Sequence, residues 1–370
     1  MSLEPRPEIK NLDECLHGGV NYAELRRAGM APEELIDFSV CTNPYMPPPE
    51  IKEVQLNSLS IELYPDTEAT ELRQRLSRRL QVPPECVLAG SGTTELIRLI
   101  ALAYLRQGDH VLVLEPTYGE YEVAGVIAGA KLVKQWMRAE DGLTPRLEET
   151  MALIKKYRPR AVFICNPNNP TGKYLSRYEV EAVLDAVEDG LLVLDEAYVT
   201  FVEQRWPSAD LCSQGNIVIL RSMTKDYGLA GLRLGYSIAS LEITDSLRRI
   251  RPPWSVNTVA QKVGAMVLTD NDYLEHTKER IREARRYLTD GLSQLGFPPF
   301  PSDTHFFLVM VGDAMSFRSA LLKHGILVRD CGSFGLPEYI RIGTRTLPEC
   351  QRIIAAIEDL KNKGEIDAPS

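Results

Sequence analysis

The chain has 370 residues, with 51 acidic against 42 basic side chains and a formal net charge of −9. Nucleic acid or an anionic membrane would be repelled by that balance, so any anion site has to be built locally. No apolar run approaches the roughly 18 residues of a membrane span, and seven cysteines without a CxxC pair fit reduced thiols better than disulfides or a zinc motif, so a cytoplasmic protein without a metal centre is expected.

Residues 1 to 20 are polar and end in His17, Gly18 and Gly19, an arm without strong periodicity, followed by a short helix at about 21 to 29. Ile36 to Ser39 reads as a brief extended run entering a loop fixed by Pro44, Pro47, Pro48 and Pro49. Leu72, Leu76 and Leu80 at spacing four predict a helix that Asp66 or Thr67 can cap. Cys86 to Ala89 is a short apolar strand. The turn GSGTTE then feeds a helix from about Thr94 to Leu105, exposing a helix N-terminus suited to an anion.

Strands and helices alternate from there. Val111 to Leu114, Lys131 to Trp136, Ala161 to Cys165, Leu191 to Leu194 and Ile217 to Leu220 read as strands. Helices are predicted over Glu120 to Ala128, around Leu147, Met151 and Ile154, and after a capping box of Ser176 and Glu179. Such nearly continuous apolar strands between helices mean a mostly parallel sheet covered on both faces. From about 272 the pattern changes. A long helix (Tyr273 to Leu295), a strand (Phe306 to Val311), a helix (about 315 to 323), strands at Ile326 to Arg329 and Tyr339 to Ile342 and a last helix with Pro348 near its first turn make a smaller α+β unit. The expected division is an arm and part of the small domain at 1–45, a large domain at 46–270 and a small domain at 271–370.

In a sheet of this kind ligands gather outside the carboxyl ends of the strands. Those ends carry GSGTTE, EPTYG with Tyr118, NPNNPTG with Asn169, Asp195 to Tyr198, and RSMTKDYGLAGLRLGY with Ser222, Thr224, Lys225 and Arg233. Singly, each has a plain structural explanation: Asp195 as a helix cap, Tyr118 as core, NPNNPTG as a turn. Together they supply an amine, a carboxylate, an amide, two phenols and an anion cradle, the set that pyridoxal 5'-phosphate (PLP) requires.

NPNNPTG, DEAY and SMTKDYGLAGLRLGY in this order resemble the class I/II aminotransferases of PLP fold type I, over nearly the whole chain. The resemblance implies Lys225 as the Schiff-base lysine, Asp195 as partner of the pyridine nitrogen, and Tyr198 and Asn169 as partners of the ring's phenolic oxygen. Tyr118 resembles the ring that stacks on the cofactor. Gly92, Thr93, Thr94, Ser222, Thr224 and Arg233 resemble the phosphate cup. A homodimer is implied, with Tyr64 of LYPD reaching the partner's phosphate, and Arg341 matches the arginine that grips a substrate carboxylate. Within the family the chain is similar to histidinol-phosphate aminotransferase and to threonine-phosphate decarboxylase of corrinoid (cobalamin) synthesis. HGG at His17, the DFSVCTNP run and VRDCGSF lean toward the decarboxylase, with His17, Asn43 and Arg329 binding a substrate phosphate. Histidinol-phosphate transamination or another class I/II transamination is the alternative, because motifs do not fix which bond at the α-carbon breaks. A non-catalytic regulator is disfavoured, since no basic helix-turn-helix precedes the fold.

Overall fold

A computed structural model describes residues 3–368 apart from 11, 13, 46–50, 52–61, 270 and 271. The prolines expected to fix the loop at 47 to 49 lie outside the described residues. The strands, in chain order, are β1 (Ile36–Asp37), β2 (Val87–Gly90), β3 (His110–Glu115), β4 (Lys131–Trp136), β5 (Ala161–Cys165), β6 (Leu191–Asp195), β7 (Ile217–Ser222), β8 (Gly235–Ala239), β9 (Phe306–Met310), β10 (Ile326–Leu327), β11 (Arg329–Asp330) and β12 (Tyr339–Gly343).

Seven of them form one sheet in the order β2-β8-β7-β6-β5-β3-β4. Every pairing from β4 through β7 is parallel, and only β8 runs against its two neighbours. The strands alternate side chains between two buried faces. Leu112, Val162, Leu192 and Ile219 point into one core, under helices Thr70–Leu80, Arg177–Val187 and Thr258–Val267. Val113, Phe163, Val193 and Val218 point into the other, under helices Gly92–Tyr104, Glu120–Ile127 and Leu241–Ile250. Burial on both faces is why the strands lack polar alternation in sequence.

The expected mixed α/β architecture with a large, mostly parallel sheet is present, and several boundaries move. Cys86 belongs to a 3-10 turn that precedes β2, and the helix after the glycine turn begins at Gly92, two residues earlier than expected. Asp66 does hold the start of helix Thr70–Leu80: its carboxylate accepts from the Thr70 and Glu68 amides at 2.7 and 3.0 Å. The run Ile326 to Arg329 is split between two sheets. β10 pairs in parallel with β1, whereas β11 pairs antiparallel with β12, which continues to β9. Strand β8 and helices Leu241–Ile250 and Thr258–Val267 were not anticipated.

A third core, outside the large sheet, joins Ile36 and Phe38 from the beginning of the chain to Phe307, Val309, Ile340, Ile342, Ile353 and Ile357 from its end. Helix Tyr273–Gln294 ties this core to the first of the two sheet cores. Its Leu274 packs into the large one, and Ala284, Leu288 and Leu292 pack into the small one.

Candidate active site

The carboxyl ends of β3, β5, β6 and β7 lie side by side, and the reversal of β8 adds something the parallel strands could not. Because β8 begins where they end, Gly235 pairs with both Gly90 and Ser222, and Arg233 just before it arrives at the same edge. A β-carbon on Gly235 would stand 2.9 Å from the Thr93 amide nitrogen, and one on Gly92 would stand 2.9 Å from Arg233 Nη2. Gly92 also has φ +76°, a conformation that side chains disfavour. Both glycines therefore keep backbone and guanidinium close together around the first turn of helix Gly92–Tyr104. Ser91, at its N-cap, makes no side-chain capping bond, so the first-turn amides are available to an anion.

A cavity opens over this edge. It is lined by the peptide at Gly92, Thr93 and Thr94, by Tyr118, Asn169, Asp195 and Tyr198, and by Ser222, Thr224, Lys225 and Arg233. All eleven residues assigned to the cofactor on these loops meet there. The cavity continues into a larger one of about 810 Å³ whose wall carries His17, Arg329 and Arg341.

Asp195 is 2% exposed and fixed from two sides: Tyr121 Oη donates to Oδ2 at 2.8 Å and the Ala197 amide to Oδ1 at 3.0 Å. Burial pushes its carboxyl up to about 6 despite both bonds. Lys225 Nζ lies 5.7 Å from the centre of the Tyr198 ring. Its pKa is lowered to about 8, chiefly by burial, with Arg341 and Arg233 adding repulsion and Cys41 and Asp195 opposing. A neutral amine is thus within reach near neutral pH. Tyr118 is pushed up to about 12 by burial, and its hydroxyl lies 3.1 Å from Thr94 Oγ1.

The two arginines sit on neighbouring strands as a register pair, Arg329 of β11 opposite Arg341 of β12. Arg341 is 5% exposed and donates to Asn169 Oδ1 and to the Ser39 carbonyl. Arg329 donates to Ser333 Oγ at 2.6 Å and to the Leu16 carbonyl at 2.9 Å. His17 faces the same cavity, its ring centre 5.7 Å from that of Tyr118 and its Nε2 3.0 Å from Glu120 Oε1. Hydrogen bonds to Cys15 and Glu120 raise it to about 9.

Two expected residues do not line the cavity. Asn43 is buried beneath it, where its Nδ2 donates to the Asp226 carbonyl at 2.9 Å and to Thr277 Oγ1 at 3.0 Å. Its amide is consumed in bracing the loop after Lys225 against helix Tyr273–Gln294, so a substrate-phosphate role is corrected to a structural one. Tyr64 is 78% exposed and stacked on Trp254, with ring centres 4.2 Å apart. Three contributors escaped sequence reasoning: Tyr121, Glu120 and the Ser39 carbonyl. Tyr121 lies three residues after Tyr118, a separation that brings side chains to one side of a helical turn; Ser39 carried no signal, because a main-chain acceptor has no residue type.

The family model for aminotransferase class I and II matches residues 33–357. The chain belongs to that family. A histidinol-phosphate aminotransferase of Symbiobacterium thermophilum is 34% identical over 335 residues, covering 90% of this chain and 92% of that protein. The crystal structure of the histidinol-phosphate aminotransferase of Sinorhizobium meliloti in complex with PLP superposes with a TM-score of 0.88 at 25% identity, covering 98% of this chain and 99% of the other. The L-threonine-O-3-phosphate decarboxylase of Porphyromonas gingivalis superposes with a TM-score of 0.74 at 27% identity, over 88% and 99%. The class I/II aminotransferases are PLP-dependent enzymes of fold type I, and so is this chain. The donor set suits that cofactor: a buried carboxylate with lone pairs to spare, an amine of lowered pKa and an anion cradle all open onto one cavity. Among the described residues no helix is long and apolar enough to cross a membrane.

Proposed function

We propose that this enzyme is an aminotransferase of the histidinol-phosphate type, working as a homodimer. The observation that carries the reading is relatedness along nearly the full length of both chains to proteins of that name. It takes precedence over the decarboxylase leaning of the N-terminal motifs, which rests on a few short segments. The cavity supports it chemically. Arg341 offers a rigid guanidinium to a phosphate or carboxylate, and Arg329 beside it suits the second anionic group of a dicarboxylic amino acceptor.

In this reading the Gly92 to Thr94 amides, Ser222, Thr224 and Arg233 hold the PLP phosphate, with Tyr64 of a second copy reaching the same group. Asp195 holds the proton of the ring nitrogen, Asn169 and Tyr198 hold the phenolic oxygen, and Tyr118 covers one ring face. When bound, PLP supplies a carbonyl for the substrate amine and a conjugated ring that accepts electrons from its α-carbon. Lys225 Nζ would anchor the cofactor and would be the base that moves the substrate's α-proton, which needs an amine neutral at working pH. Arg341 and Arg329 orient the substrate so that the α C–H bond is the one aligned for cleavage.

A second reading, decarboxylation of threonine phosphate, is favoured by one specific observation. The HGG arm folds over Tyr118, and the Leu16 and His17 carbonyls accept from Arg329, which gathers His17, Arg329 and Arg341 for a substrate carrying both a phosphate and a carboxylate. Two incubations separate the readings. Glutamate formed from histidinol phosphate and 2-oxoglutarate supports the first; carbon dioxide released from threonine phosphate without an acceptor replaces it with the second. Neither product would sink both. Independently of substrate, borohydride treatment of the PLP-loaded protein is expected to leave a pyridoxyl mass on the peptide containing Lys225, and Lys225→Ala to fold without it. A pyridoxyl group on another lysine would overturn the site.

A further inference from the structure

At the rim of the large cavity three side chains of metal-ligand type converge. Cys15 Sγ, a His17 ring nitrogen and a Glu120 carboxylate oxygen all lie within 4.8 Å of one another. None of the three belongs to the cofactor cradle, and Glu120 is about a hundred residues from the other two, so no spacing motif announces the group. We propose that it is a zinc site, binding one Zn2+ through Cys15 Sγ, His17 Nε2 and Glu120 Oε1.

Zinc accepts sulfur, nitrogen and oxygen ligands in a tetrahedral shell, and where the protein supplies three of them the fourth position takes water or a bound molecule. The spacing fits. His17 Nε2 and Glu120 Oε1 are 3.0 Å apart, close to the separation of roughly 3.3 Å that two ligands at about 2.0–2.1 Å impose around a tetrahedral ion. The carboxylate is already oriented for single-oxygen ligation, because Arg98 Nη2 holds the other oxygen, Oε2, at 2.5 Å. Such outer partners fix the direction of a ligand and tune the metal. The thiol has its place by virtue of Gly119, where a β-carbon would stand 2.8 Å from Cys15 Sγ. Any larger residue there would displace the sulfur from the group.

Cys15 and His17 also line the cavity that holds Lys225 and Arg341, so the open position faces that space and takes water or an oxygen of an anion. Zinc there pins the arm to the first turn of helix Glu120–Ile127. The Leu16 and His17 carbonyls that accept from Arg329 are held with it. Binding releases the thiol proton to solvent and moves no electrons. The site stands on its own donors, whichever substrate the enzyme takes.

The test uses PLP-loaded protein and reads the metal directly. Equilibrium dialysis against Zn2+ with elemental analysis is expected to leave one zinc per chain, and Cys15→Ser and His17→Gln to weaken that binding by at least about a hundredfold, more than loss of an outer partner would. In parallel, iodoacetamide labelling followed by peptide mass spectrometry should show Cys15 protected by Zn2+ while Cys86, the other incompletely buried cysteine, labels at an unchanged rate. No retained zinc, equal zinc on Cys15→Ser, or labelling of Cys15 indifferent to zinc would each overturn the proposal. The labelling arm is done on the unmodified sequence and so remains decisive if a variant fails to fold.

Discussion

At the scale of single residues, the neighbours Asp195 and Glu196 show how little residue type says about role. Successive side chains at a strand end point to opposite faces. Asp195 turns into the cavity, while Glu196 turns away and accepts from Ser208 Oγ at 2.7 Å and Arg221 Nε at 2.9 Å. Glu196 has the Arg221 guanidinium at hydrogen-bond distance, whereas Asp195 accepts from two neutral donors, the Tyr121 hydroxyl and the Ala197 amide. Its carboxyl is raised from 3.8 to about 6, which means that between those values the folded protein keeps a proton the unfolded chain has released. Stability therefore falls as pH rises through that window, and the full cost is present above it. In cofactor-free protein, Asp195→Asn is expected to raise stability by about 1–3 kcal/mol at pH 8, with the gain shrinking toward pH 5. Calorimetry across that range checks it, and a gain independent of pH would refute the assignment. The same variant should lose most turnover, because an amide cannot hold the ring-nitrogen proton as an anion does.

Among the elements, the strand-end loops were legible because each combines a long apolar run with a polar, glycine-bearing sequence. Strand β8 was not. It is five residues long and follows the glycine loop directly, so nothing in its composition declares that it is a strand, still less that it runs backwards. Yet its direction brings Arg233 and Gly235 to the cradle. Asn43 illustrates the opposite error, in which a polar residue in a suggestive motif proved to be a brace. Removing its amide leaves the Asp226 carbonyl without that donor in the interior, which costs about 1–3 kcal/mol. Asn43→Ala is accordingly expected to lower the urea midpoint of unfolding while KM for the proposed phosphorylated substrate stays within about twofold. An unchanged midpoint with a raised KM would restore the substrate role.

For the whole molecule, the beginning and end of the chain share one core, and helix Tyr273–Gln294 links it to the large sheet. The cavity between them holds Lys225 from one side and the two arginines from the other. Tyr64 remains outside it, exposed and stacked on Trp254, which is where a residue serving a second copy would stand. In the proposed homodimer, co-expressing Tyr64→Ala with Lys225→Ala should then recover up to about a quarter of native activity, since half the dimers would be mixed and each would carry one intact site. Two inactive parents that recover nothing together would remove Tyr64 from a shared site.

The sequence by itself determined the cofactor and the family, and it named the residues that the structure gathers around one cavity. These depend on residue types at strand ends, and strand ends are visible as local breaks in apolar periodicity. Only the tertiary structure decided the direction of β8, the register that sets Arg329 beside Arg341, the demotion of Asn43 to a brace and the meeting of Cys15, His17 and Glu120. Each of these is a contact between segments far apart in the chain, fixed by how two cores pack around one helix, and no local pattern encodes such a distance.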